Sequence, residues 1–355
     1  MLNLFIDLSE IEVFDSAITY TGIFLFSKAI KEYFSHAKLD KNNTNQLQNL
    51  SKAKLNQVTY EKIADTVWLL SSQDLQNIFD KINQFPLLSE LSNIFVGLQT
   101  SADPAYILEI REDGLYSKYA QKTYQFDYDI VKPLLKGAEI KRYSQPIAKY
   151  KVIFPYQIKH DSYTLLSEKE LKNNYPLIGD YFLECVEKLN NREKGKINIK
   201  EWWGYVYPKN LGCFDKKKII TQVLANHSSL TLDINQQYYF VGGGTAGGYG
   251  ILLKENSKLS YEYLLGVLNS TILEKYLQSY STPFKGGFFA YNRETMGRLP
   301  IPIPSEADKQ AITFLVQKCL DAKGVGVLEW EAEIDDRVAH LYGLTDEEMK
   351  IIRGD

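Results

Sequence analysis

The chain has 355 residues, 45% of them hydrophobic and 24% charged, with a net charge of −3; it can bury a sizeable core, and it is no histone-like cation that binds nucleic acid by bulk positive charge. Three widely spaced cysteines, Cys185, Cys213 and Cys319, exclude a disulfide framework and a Cys-x-x-Cys metal pair and fit a reducing cytoplasm. No secretory leader opens the sequence, and its most apolar early stretch, 17–26, is too short to span a bilayer.

In chain order, residues 11–28 read as a turn and then a buried strand, because β-branched and aromatic residues cluster without helical spacing. Residues 36–57 are rich in Asn, Lys and Gln and read as a polar linker. Helices are expected at 59–65 and at 72–84, where Leu75, Ile78, Phe79 and Ile82 share a face, Ser72 can cap and Pro86 stops the run. From Leu87 to Pro304 short strands and aromatic turns alternate with a few helices, notably 180–194 and 258–279, the latter capped near Ser260. The proline-punctuated 299–304 (LPIPIP) leaves regular structure. Ile312, Leu315, Val316 and Cys319 then recur at helical spacing, as do Ile334, Val338 and Leu341, and Thr345-x-x-Glu348 opens a last helix as a capping box. The fold class is α+β, divided as 1–86, 87–304 and 305–355.

Charge is unevenly spread. Between Ile130 and Ile220 there are 18 Lys/Arg against 10 Asp/Glu, whereas 306–355 holds 6 against 12. Aromatic residues are plentiful, with 25 Tyr, 17 Phe and 4 Trp, which suits recognition surfaces and cores alike.

Signatures of catalysis are sparse. Gly242-x-Gly244-x-x-Gly247 matches a dinucleotide fingerprint, yet a strand follows where a helix N-terminus is needed, so a hairpin loop is expected. His36, His160, His227 and His340 show no zinc spacing, and no Gly-x-Ser-x-Gly elbow or Walker loop occurs. A base-amine methyltransferase needs a donor-binding glycine loop and a polar-Pro-Pro-aromatic turn; the chain has no Pro-Pro pair.

An ordered set of segments carries a family likeness: 13–28 (VFDSAITYTGIFLFSK), 94–108 (IFVGLQTSADPAYIL), 133–143 (PLLKGAEIKRY), 151–156 (KVIFPY), 216–224 (KKKIITQVL), 247–253 (GGYGILL), 265–270 (LGVLNS), 298–304 (RLPIPIP) and 338–348 (VAHLYGLTDEE). Together they resemble the C-terminal specificity region of TaqI-like adenine DNA methyltransferases and type IIG restriction–modification enzymes. The resemblance implies a catalytic lobe before a target-recognition lobe, double-stranded DNA between them and an adenine flipped out. Segment 13–28 is similar to the last strand of the methyltransferase fold, whereas the donor loop and the Asn-Pro-Pro-Tyr-type turn have no counterpart. A shortened chain or a separate specificity subunit, with a catalytic lobe or subunit as partner, is expected. No cofactor is expected in this chain; S-adenosylmethionine, and Mg2+ for any nuclease, would belong to the catalytic part.

Phosphates supply affinity and base edges supply discrimination, so two sets of residues are sought. The phosphate candidates are Lys136, Lys141, Arg142 and the neighbouring Tyr143, then Lys149, Lys151, Lys216 and Lys217 with Lys218. The base-reading candidates are Trp202, Trp203 and Tyr205, Tyr249 at the glycine loop, and Lys285, Tyr291 and Arg293. Each charged cluster could equally be a solvated face and each aromatic a core residue. Two other functions stay open: a metal-dependent DNA endonuclease with an unrecognised acidic site, and a protein-interaction domain acting through its acidic helical tail.

Overall fold

The computed structural model describes residues 1–9, 11, 13–14, 21–39, 55–60, 70, 73–159, 162–195, 201–281, 283–284 and 286–354. At its centre stands a four-stranded antiparallel sheet in the order Leu230–Asp233, Lys218–Gln222, Gly248–Leu253, Ser92–Val96. Successive side chains on a strand point to opposite faces, and here both faces are dry. Ile94, Ile219 and Ile251 enter one core, whereas Phe95, Ile220 and Leu252 enter a second. The strands are therefore almost continuously apolar, as expected of a sheet covered on both sides. Gly250 is required at the crossing, since a Cβ there would lie 2.3 Å from the Phe95 ring.

Helices fill the first core: Gln73–Ile82, Tyr261–Asn269, Thr271–Tyr280, Glu306–Asp321, Leu328–Tyr342 and Asp346–Arg353. The predicted faces are the buried ones, with Ile78, Phe79 and Ile82 on the first helix and Ile312, Leu315, Val316 and Cys319 on the fourth. Thr345 and Glu348 form the expected capping box. The expected helix over 258–279 is two helices. Ser260 caps the first, and Ser270 turns extended (ψ 147°), with its hydroxyl donating to the Val267 carbonyl and accepting from Leu273 N, so one serine ends a helix and starts the next. The expected cap Ser72 and residues 61–65 of the expected 59–65 helix lie outside the described residues, and Thr59 ends a strand.

The second core lies against a six-stranded sheet ordered Tyr239–Phe240, Val131–Leu135, Tyr150–Ile153, Ile107–Arg111, Gly114–Ser117, Lys122–Tyr124. The expected helix at 180–194 is broken into Pro176–Glu184, Val186–Asn190 and a short turn in which Glu193 and Lys194 take φ of 51° and 59°. Arg192 is turned inward, 4% exposed, and donates to the carbonyls of Leu189, Trp202 and Gly204 at 2.7, 2.5 and 2.7 Å. Several backbone acceptors thus solvate a buried guanidinium.

A separate small sheet is ordered Gly22–Phe26, Leu2–Asp7, Tyr33–Lys38, Asn56–Thr59. Two expectations change here. The strand expected to be buried lies at the sheet edge with Phe24, Leu25 and Phe26 half or more exposed, because nothing among the described residues covers it. The expected linker 36–57 has strand residues at both ends, and its middle, 40–54, lies outside the described residues. With mostly antiparallel sheets and packed helices, the fold is α+β.

Candidate nucleic-acid interface

Loops gather at the rim of the central sheet where Val96, Gln222 and Gly248 meet, and hydrogen bonds tie them into one surface. Leu98 N donates to Phe240 O and Gly242 N to Leu98 O, at 2.9 and 2.7 Å. Gly137 N donates to Ala246 O (2.8 Å), Val223 N to Gly247 O (3.0 Å) and Tyr291 N to Val223 O (2.8 Å). Gln222 Nε2 completes the set by donating to Ile140 O at 2.6 Å. The glycine run does not close a hairpin as expected. Tyr239–Phe240 pairs with Val131–Leu135 in the six-stranded sheet, whereas Gly248–Leu253 belongs to the central one, so the loop crosses between sheets.

This rim and the adjoining sheet face hold part of the expected cationic set. Lys141 and Arg293 are exposed, and Arg293 lies close enough to Tyr249 to oppose the upward push that burial gives its phenol. Lys136 packs its ammonium 3.6 Å from the centre of the Tyr150 ring, an attraction of cation and π-face. Lys149, next to Tyr150 in the chain, is exposed, and Lys151 is half-buried on the Tyr150–Ile153 strand. Among the described residues none of Lys136, Lys141, Lys149, Lys151 or Arg293 makes an ion pair.

Other expected contacts serve the fold. Arg142 pairs with Glu331 of the Leu328–Tyr342 helix and reaches Ser228 O at 3.4 Å. Tyr143, Trp203, Tyr205 and Tyr291 are buried, at 1%, 7%, 3% and 1% exposure, and so present no surface to a duplex in this structure. Their polar groups are partnered inside: Trp203 Nε1 donates to Leu166 O (2.8 Å), Tyr205 Oη donates to Ile153 O (2.7 Å) and Tyr291 Oη lies 3.4 Å from Ser228 Oγ. Trp202, half-buried, meets Trp203 edge to face and lines a cavity of about 180 Å³ with Leu171, Phe182 and Leu183. Lys217 pairs with Glu262 at 2.6 Å, Lys218 is fully buried against Asp233 at 2.5 Å, and Lys216 is exposed. All three sit at the far end of the Lys218–Gln222 strand, about 13 Å from the rim at 3.3 Å per residue. Lys285 lies outside the described residues.

The sequence reading missed Tyr150, Tyr116 and Arg111. Tyr150 faces Glu109, which faces Tyr116, so these side chains share one sheet face, and Arg111 stacks 3.4 Å over the Tyr116 ring. The one available signal was Tyr150 standing between Lys149 and Lys151.

No group of three or more His, Cys, Asp or Glu side chains among the described residues could hold a metal, and none of their helices is long and apolar enough to cross a membrane. The glycine loop opens into a strand, with no helix N-terminus to meet a nucleotide phosphate.

Residues 132–301 match the family model of the TaqI-like C-terminal specificity domain. The chain is similar to the type II restriction enzyme and methyltransferase RM.Eco57I of Escherichia coli, 26% identical over 319 residues, covering 85% of this chain and 32% of the relative. It is also similar to the type II methyltransferase M.BstVI of Geobacillus stearothermophilus, 21% identical over 301 residues, covering 81% of this chain and 46% of the relative. The chain thus spans 32% and 46% of the length of these relatives.

Proposed function

We propose, from the match of residues 132–301 to the TaqI-like C-terminal specificity domain, that the chain is the DNA-recognition module of a type II restriction–modification or adenine-methylating system working in the cytoplasm. The observation that carries the reading is the gathering of Lys136, Lys141 and Arg293, none of them ion-paired among the described residues, around loops that hydrogen bonds fix to the matched domain. Fixed loops with free cations suit a duplex: the cations neutralise phosphates, and the loops set the register for base contacts.

Methyl transfer falls to another polypeptide segment, which binds S-adenosylmethionine and, where the system cleaves, Mg2+. The exposed apolar edge strand Gly22–Phe26 supports a covering partner lobe, because a strand apolar on both faces is stable only when enclosed.

Fluorescence anisotropy with specific and random duplexes tests the reading. Affinity should fall linearly with the logarithm of salt concentration, and the triple variant Lys136→Ala, Lys141→Ala, Arg293→Ala should flatten that line. Binding that is absent with the partner lobe supplied, or indifferent to salt, refutes it.

A further inference from the structure

Two glycines of the rim loop, Gly243 and Gly244, combine a positive φ with open space where a side chain would stand. Gly242 is instead packed: a Cβ there would lie 2.2 Å from the Gly97 carbonyl oxygen. A Cβ on Gly244 meets nothing within 4 Å, and one on Gly243 meets only Gln99 Nε2, at 4.0 Å. Gly244 has a left-handed backbone, which favours glycine but admits a polar residue. Its φ of 59° is matched in this chain by Asn210 at 59°, Gln236 at 58° and Ser101 at 56°. Open space at both glycines leaves their backbone approachable by a group outside the chain.

The loop backbone is equipped to bind what approaches. Residues 243–246 are all exposed, and among the described residues the N–H groups of Gly243, Gly244, Thr245 and Ala246 donate to no protein acceptor. The carbonyls of Ala246 and Gly247 are turned inward, accepting from Gly137 N and Val223 N. The neighbouring loop brings Lys136, whose ammonium carries no carboxylate partner among the described residues, while its one acid, Glu139, is spent accepting from Lys136 N at 2.6 Å. Free donors beside an unneutralised cation select an anion.

We propose that residues 243–246 form a backbone clasp for one phosphate of a DNA strand, with Lys136 supplying the charge. The clasp rests on the DNA-recognition reading and adds to it a sequence-independent anchor that sets how the other rim loops meet the bases.

The test fills the space without changing the backbone. Gly244→Asn keeps the left-handed conformation and adds a side chain where the phosphate would sit. Gly343→Asn is the control, because that helix-capping glycine also has φ of 68° and nothing within 4 Å. Both variants should unfold at similar urea midpoints, a little below the parent's, since each puts an asparagine at a positive φ. Gly244→Asn should weaken binding to specific and random duplexes alike, by about tenfold, the scale of one charge-assisted hydrogen bond, and Gly343→Asn should not. Lys136→Ala should then cost less on the Gly244→Asn background than on the parent, since both act on one phosphate. The clasp is overturned if Gly244→Asn binds like the control, or loses affinity for the specific duplex alone. Should the parent itself show no salt-dependent binding, the DNA reading falls and the clasp with it.

Discussion

Lys141 and Arg142 are neighbours in sequence with opposite employment, and substituting each alone separates them. Arg142 and Glu331 keep 26% and 16% of their side-chain surface exposed. Breaking a fully buried pair costs about 3–5 kcal/mol and an exposed one about 0–1; this pair lies between, so Arg142→Ala should cost about 2 kcal/mol. At about 2–4 °C per kcal/mol for a large domain, its melting point should drop by about 4–8 °C. Lys141→Ala, at an exposed site, should change stability by no more than about 0.5 kcal/mol. Its effect belongs to DNA: one lost phosphate contact lowers the slope of log affinity against log salt by about 0.9, so a fourfold rise in salt costs the variant about threefold less affinity than the parent. Urea unfolding followed by tryptophan fluorescence reads the first quantity and an anisotropy salt series reads the second. An Arg142→Ala variant that unfolds like the parent and flattens the salt slope, with Lys141→Ala leaving that slope unchanged, would refute this division of roles.

Lys218→Met should destabilise by about 3–5 kcal/mol, because it strands Asp233 at 1% exposure without its ammonium, and adding Asp233→Leu should recover part of that loss in a double-mutant unfolding cycle. Tyr205→Phe deletes a buried hydroxyl bonded to Ile153 O; unfolding should show a loss of about 1–3 kcal/mol, with duplex affinity at low temperature unchanged. Burial holds the His36 imidazole down to about 4, from an ordinary 6.5, with both ring nitrogens unpartnered. The unfolded chain therefore takes up this proton first, and stability that is complete above pH 6.5 is lost as pH falls towards 4. Hydrogen exchange in the Tyr33–Lys38 strand at pH 7 and pH 5 should show that loss in the parent and a weaker one in His36→Phe.

Elements governed by local rules were legible. The tail helices follow from 3.6-residue spacing and a capping box, both formed within a few residues of chain. Helix interruptions were not, because a serine that caps in place at 270 or an arginine that turns inward at 192 depends on partners elsewhere. The glycine loop was misread for the same reason: two strands adjacent in sequence looked like hairpin partners, whereas each pairs with strands more than 20 residues away. Clusters of lysine and paired aromatics pointed to the stretch from Lys136 to Arg293 but could not say which members fold it. Lys217 and Arg142 are claimed by Glu262 and Glu331, 45 and 189 residues distant. Nothing in the local pattern distinguishes them from Lys216 and Lys141.

The double-faced central sheet bears on how such a chain can change its preference. Its rim loop at 99–101 contributes no apolar side chain to either core, so exchanging its sequence leaves the apolar wall intact. A change at Ile219 or Ile220 disturbs one core directly and the other through the shared strand. Variation is thereby channelled to the rim, and new specificities can arise by loop replacement on an inherited frame.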